Sequence, residues 1–393
     1  MKSTKDNTVS IVFISLLLDL LAFTMILPLL PALLDYYKEV ENSEGLYFKI
    51  FNYIKRLQVY FHAPDRVSTV LYGGFLGSMY SFLQFLGCPI IGALSDIYGR
   101  KPLMLICLIG IMLSYLLWAL STSFAMFVLA RFIGGISKGN VSLCMAIITD
   151  VSSPKIRGRA MALVGIAFSI GFVIGPMIGA VFAWSSSDNR EGTWYMVPAS
   201  FALLLAATDL CFVYFNLKES LPPNSRASSL AGGVTGALTY INPIDLFRFK
   251  GVTGLSSHDR QSLKTLGFVY FIYLFIYSGL EFTLTFLTHY SFGFTSMQQG
   301  WMFLGIGLTM AILQGVWVRR IPPHKTKSIS EVGLWLIIPA FVLIGIADDV
   351  FTLCAGILFF AISFWSAGSK FTYLIGAASL FIPPLILRTV QPS

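Results

Sequence analysis

Charge is scarce in this 393-residue chain: Asp, Glu, Lys and Arg make up 12% of residues, against 56% apolar. Soluble domains carry about twice that charge, so this composition excludes a water-soluble fold, which could not hide so much apolar surface. Catalytic and metal-binding patterns are also lacking. There are 4 histidines, with no H-E-x-x-H, no G-x-S-x-G and no phosphate-cradling loop in a suitable context, so neither an enzyme nor a cofactor is implied. The 5 cysteines, Cys88, Cys107, Cys144, Cys211 and Cys354, all fall in apolar stretches, where they pack as small hydrophobes and imply no disulfide framework. The Asn140-Val141-Ser142 glycosylation pattern lies inside a predicted helix, where glycosylation is physically implausible.

What is present is a succession of apolar runs. A helix of about 20 residues at 1.5 Å each crosses a hydrocarbon core of about 30 Å. Such runs occur near 9–34, 68–92, 103–121, 124–148, 160–184, 194–216, 265–289, 298–318, 331–347 and 350–366, which predicts an all-α multi-pass membrane protein. The first run, Val9 to Leu34, is too long for a signal-peptide core and holds Asp19 at its centre, so it reads as a retained span. A stretch rich in Pro, Gly and Ser, with Pro222-Pro223, divides the spans six and four. The expected organisation is a six-helix half over 1–217, a cytoplasmic linker over 218–264 and a shortened second half over 265–393. A further apolar run, Phe371 to Leu387, is interrupted by Pro383-Pro384; a broken eleventh span, a frayed end and a partner-seeking tail all fit it.

The net charge of +8 marks topology, not nucleic-acid binding. Lys2, Lys5, Arg100, Lys101, Lys155, Arg157, Arg159, Arg319, Arg320, Lys325 and Lys327 collect on one side, which makes that side and the N-terminus cytoplasmic, in the plasma membrane or an internal one. In the long connection from Asp35 to Val67, Leu46, Tyr47, Ile50, Ile54, Leu57 and Phe61 recur at helical spacing beside Lys49, Lys55 and Arg56, predicting a helix on the non-cytoplasmic interface.

Three motifs stand in the second, fourth and fifth spans. Gly92-Ala93-Leu94-Ser95-Asp96-Ile97-Tyr98-Gly99-Arg100-Lys101-Pro102 closes the second span and resembles the G-x-L-x-D-x-x-G-R-K loop of the major facilitator superfamily. Physically, Gly99 permits a tight reversal, Asp96 can pair with Arg100, and the two bases suit an anionic membrane surface. Arg131-Phe132-Ile133-Gly134-Gly135 resembles the fourth-helix element of that superfamily. Gly171, Gly175, Pro176 and Gly179 are similar to the fifth-helix signature of its drug/proton antiporters. Glycines four apart line one helix face and allow close backbone approach; helix contact alone produces that spacing in many membrane proteins. Asp19 through Pro31 looks like the first helix of tetracycline-type carriers.

The resemblance covers the first six spans well and implies a helical bundle that moves a small molecule by alternating access. It also implies that Gly92, Asp96, Gly99, Arg100 and Lys101 act as a conformational latch. Two departures stand out. The superfamily pattern has twelve spans, so the chain reads as truncated or altered at its C-terminus, and the partner of Asp96 on the eleventh helix would be lost. Gly315-Val316-Trp317-Val318-Arg319-Arg320 is a worn copy of the loop without its Asp, and Lys138 stands where related drug carriers have a small residue.

Ionisable groups at bilayer depth are costly and mark functional sites by default. Asp19, Arg131, Lys138 and Glu281 are the expected substrate and proton cavity, with Asp19 and Lys138 at similar depth and able to pair. A buried network that only fixes helix positions is the structural alternative. Asp209 reads as structural or interfacial, and His289 as a span-end residue without a role. Two cations favour organic anions or amphipathic drugs with a carboxylate as substrates. Proton co-binding and antiporter-type exclusion both stay open, and a non-transporting truncated scaffold or dominant-negative form is the competing function. No partner beyond substrate, protons and lipid is implied.

Overall fold

A computed structural model describes residues 2–60, 68–185, 194–226, 257–312 and 326–367. Among these residues, six helices are long and apolar enough to cross a membrane, and two shorter apolar helices span Glu331–Gly345 and Val350–Ser363. The chain divides into two compact units, Met1–Ile241 with Thr285–Trp301, and Asn242–Leu284 with Met302–Ser393.

In the first unit α1 covers Lys2–Thr24, and a 3-10 turn at Leu27–Leu29 leads into α2, Leu30–Val40. Pro28 and Pro31 stand at the first positions of these two elements, where a missing amide costs nothing and φ is preset. The helical path therefore continues to Val40, and Asp35, expected to open a loop, is a helical residue. The predicted connecting helix is α3, Leu46–Tyr60. Both oxygens of Glu41 accept amides at its start, from Leu46 at 3.1 Å and Tyr47 at 3.3 Å, placing a carboxylate on the positive end of the helix. Tyr47, Ile54 and Gln58 face inward, while Tyr53, Lys55, Arg56 and Tyr60 are exposed.

Helix α4, Ser68–Tyr98, and α5, Arg100–Ala119, meet at Gly99, whose φ of 108° is a conformation that L side chains rarely adopt. The fourth span, expected to be continuous, is broken into α6, Phe124–Ser137, and α7, Asn140–Val151. Four glycine and asparagine residues around the break, Gly134, Gly135, Gly139 and Asn140, are poor interior helix formers. Helices α8, Pro154–Ser185, and α9, Met196–Asn216, complete the bundle. Helix α1 packs against α8 and α9, α5 against α6 and α9, and α4 against α6.

An aromatic knot closes the end of this bundle away from Gly99. Tyr47 lies 4.9 Å from Tyr72, Tyr72 lies 5.9 Å from Phe124, and Tyr37 lies 5.4 Å from Phe127 between ring centroids. The Tyr37 hydroxyl bonds Ser121 Oγ at 2.7 Å, and the Tyr195 hydroxyl donates to the Ser121 carbonyl, so these buried phenols keep polar partners.

Helix α10, Ser257–Phe292, ends within the first unit, and α11 is Ser296–Ile312. In the second unit α12, Thr326–Gly345, and α13, Val350–Ala367, form a helical hairpin. Asp349 caps α13 by accepting from Thr352 N at 2.9 Å and Thr352 Oγ1 at 2.7 Å. The Phe371 to Leu387 run, Gly315 to Arg320 and the linker beyond Arg226 up to Ser256 lie outside the described residues, as do the side chains of Lys155, Arg159 and Glu281.

Candidate functional site

The break in the fourth span places Lys138 at the cap of α6, and from there its side chain reaches α1. Lys138 Nζ donates to Asp19 Oδ1 at 2.7 Å and to Oδ2 at 2.8 Å, and Asn140 Nδ2 donates to Oδ2 at 2.7 Å. The two charged side chains are 3% and 1% exposed, so the pair is fully withdrawn from solvent. Removing two ions from water costs several kcal/mol each, and only paired, hydrogen-bonded geometry of this kind offsets it. Asn140 is a member that sequence reasoning missed; its signal was a primary amide within an apolar run, directly after the glycine that breaks the helix.

Arg131 is 7% exposed on α6 and stands among rings, with its guanidinium carbon 5.5 Å from the Tyr80 centroid, 5.8 Å from Phe127 and 5.9 Å from Trp118. Tyr80 lies 5.4 Å from Phe23, and Phe23 lies 4.7 Å from Lys138 Nζ. The two cations thus share one aromatic wall, and each gains quadrupole attraction from it. Among the described residues Asp19 is the carboxylate paired with Lys138, and Arg131 forms no ion pair. The buried Arg131 Nε, Trp118 Nε1 and Asn140 Oδ1 carry no hydrogen bond there. Glu281 lies on α10, in the second unit. Asp209 is fully buried on α9 beside Ser15, not at an interface with solvent.

At the opposite end of α4, Arg100 gathers the loop residues. Its guanidinium meets Asp96 at 2.7 Å and Asp150, at the end of α7, at 3.1 Å. Glu219, just beyond α9, accepts the amides of Arg100 at 2.9 Å and Lys101 at 3.2 Å, occupying the positive N-terminus of α5. Lys101 Nζ donates to the Tyr214 carbonyl at 2.8 Å. Asp150 and Glu219 were not singled out from sequence, because each stands far along the chain from the loop it joins. Gly92 has open space where a side chain would begin, and its carbonyl accepts from Ser95 Oγ at 2.6 Å.

The α8 glycines face α1. A methyl on Gly171 would stand 2.7 Å from Leu20 Cβ, and on Gly175 or Gly179 it would overlap the Thr24 hydroxyl or the Met25 carbonyl. The close approach is used, since Thr24 Oγ1 donates to the Gly171 carbonyl at 2.8 Å. Pro176 sits inside α8 without ending it.

Six helices long and apolar enough to cross a membrane, packed around a buried ion pair, define an integral membrane protein. Residues 12–386 match the sequence model of the Major Facilitator Superfamily, and the chain belongs to that family of transporters. It is 46% identical over 361 residues to major facilitator superfamily domain-containing protein 10 of Homo sapiens, covering 90% of this chain and 76% of that protein. Among solved structures, the human organic anion transporter MFSD10 (TETRAN) superposes with a TM-score of 0.76 at 42% identity, covering 98% of this chain and 89% of that one. Tetracycline resistance protein, class H, of Pasteurella multocida is 30% identical over 229 residues, 57% of this chain and 50% of that protein. The chain is accordingly a multi-pass membrane transporter-family protein and not an enzyme.

Proposed function

We propose that this protein is a secondary active carrier of organic anions or carboxylate-bearing amphipathic drugs, working by alternating access around Asp19, Lys138 and Arg131. The observation that carries this reading is the charge balance of the buried cluster: two cations on one aromatic wall, with one carboxylate, held on Lys138, and none on Arg131 among the described residues. An aromatic carboxylate complements both features, its ring stacking on Phe23 or Tyr80 and its carboxylate taking the free donors. The likeness to the human organic anion transporter supports the same substrate class.

The cluster also suggests the coupling. A substrate carboxylate that draws Lys138 away leaves Asp19 buried with Asn140 alone, and a buried carboxylate without its cation takes up a proton. Substrate and proton then bind together. The Gly171-Gly175-Gly179 face of α8 lets α1, which carries Asp19, lie close enough to slide as the site opens. The Asp96-Arg100-Asp150 cluster with Glu219 holds the other end as a latch. We place this latch and the N-terminus in the cytoplasm, with 218–264 as the linker between halves over 1–217 and 265–393, because bases concentrate on that side.

The test is counterflow in vesicles holding purified protein, with a radiolabelled aromatic carboxylate and an aromatic amine of matched size. Carboxylate exchange well above empty vesicles is expected. Exchange of the amine alone would overturn the substrate class, and exchange of neither would overturn transport.

A further inference from the structure

His289 and Asp35 lie outside the charged cluster, yet they form an ion pair that joins helices 254 residues apart within the first unit. His289 Nε2 stands 3.0 Å from Asp35 Oδ2, and His289 Nδ1 stands 3.0 Å from the Phe294 carbonyl. The Tyr290 hydroxyl donates to Asp35 Oδ1 at 2.8 Å. Both ring nitrogens therefore face acceptors. A neutral imidazole has one N–H and can serve only one of them, whereas an imidazolium donates to both. The site is shaped for the protonated ring.

The setting gives that proton something to hold. Asp35 belongs to α2, the continuation of the first span, and His289 occupies the last turn of α10. The chain then reverses through Gly293, whose φ is 65°, with Phe294 N donating to the Thr288 carbonyl at 3.0 Å. An imidazolium at 289 thus clamps the turn through Phe294 and the first span through Asp35 at once. The side chains are 25% and 40% exposed, so neither is sealed inside the protein. The other ionisable groups facing the pair are Lys38 on α2, Tyr290 on α10 and Tyr47 on α3. Burial, and then the negative charge of Asp35, push the Tyr47 phenol up to about 12, so it stays neutral throughout the range considered.

We propose that Asp35, His289 and Tyr290 form a proton-sensitive latch that ties the end of α10 to α2 while the imidazole is protonated and releases it as that face becomes alkaline. The sign follows from the two charges. The clamp is complete where His289 is protonated and Asp35 ionised; the hydrogen bond to Asp35 holds the imidazole above its ordinary range, so the clamp is kept on the acid side and lost as the pH rises through the imidazole titration. On the orientation proposed above, this face is non-cytoplasmic, so the acidity outside the cell or inside an organelle sets the latch.

Hydrogen exchange measured by mass spectrometry on nanodisc-embedded protein tests this without transport, substrate or orientation, since both faces meet one buffer. After correction with an unstructured reference peptide, opening of the segment from Thr288 to Thr295 is expected to rise about fivefold between about pH 5.5 and 7.5. His289→Gln and Asp35→Asn should each open at both pH values and lose the dependence, while Tyr290→Phe, which keeps imidazole and carboxylate, should retain it. Unchanged wild-type opening, or a full pH dependence surviving in both His289→Gln and Asp35→Asn, would overturn the latch.

Discussion

Lys138 Nζ lies within 2.8 Å of both carboxylate oxygens of Asp19, joining the cap of α6 to the C-terminal part of α1 at nearly zero exposure. This pair dominates what a substitution in the bundle does. Lys138→Gln or Asp19→Asn leaves one buried charge without its partner, which costs about 3–5 kcal/mol. The double variant removes both charges and should recover most of that loss. Thermal unfolding of the purified protein checks it: the two single variants should melt well below wild type and the double variant between them and wild type. A double variant as unstable as the sum of the singles would mean that the pair is not coupled.

The glycine face of α8 makes a separable prediction. A methyl at Gly175 overlaps the Thr24 hydroxyl, which is itself anchored on the Leu20 and Gly171 carbonyls. Overpacking of this kind costs about 1–3 kcal/mol. Gly175→Ala should lower the melting temperature modestly and Gly175→Leu should block transport while the protein still reaches the membrane. Normal uptake by Gly175→Leu would show that close approach of α1 and α8 is not needed for the cycle.

The end of α5 tests the loop cluster. Glu219 accepts two amides there, and losing such a cap costs about 1 kcal/mol. Glu219→Ala should raise hydrogen exchange at Arg100 to Met104 several-fold, and Glu219→Gln, which keeps an acceptor but not the charge, should fall between. Equal protection in all three would remove Glu219 from the latch.

Much of this was legible in the chain itself. Apolar run length predicted the helices, because crossing a bilayer fixes a span of about 20 residues. The Asp19 and Lys138 pairing could be anticipated from depth alone, as two opposite charges at one level of an apolar bundle have few other partners. The break at Lys138 was not, because hydropathy averages over a window and a single broken turn leaves the average unchanged; Gly139-Asn140 was the overlooked local signal. Asp35 reads as the start of a connection for a related reason: the apolar run ends at Leu34, yet Pro28 and Pro31 start new helical turns that carry the helix on to Val40. Glu219 and His289 gained their partners only through tertiary contact, with sequence separations of 119 and 254 residues, and no local pattern marks such pairs.

The most direct test of the central claim is uptake of an aromatic carboxylate and an aromatic amine into vesicles across an imposed pH gradient, for wild type, Lys138→Gln and Asp19→Asn. A site in which substrate displaces Lys138 from Asp19 and a proton follows predicts carboxylate flux that accelerates when the substrate side is acidic. It further predicts that this flux falls at least tenfold in Lys138→Gln, or about 1.4 kcal/mol, and that Asp19→Asn keeps binding but loses the pH acceleration. Carboxylate flux unchanged in Lys138→Gln, or amine flux that depends on an intact Asp19, would contradict it.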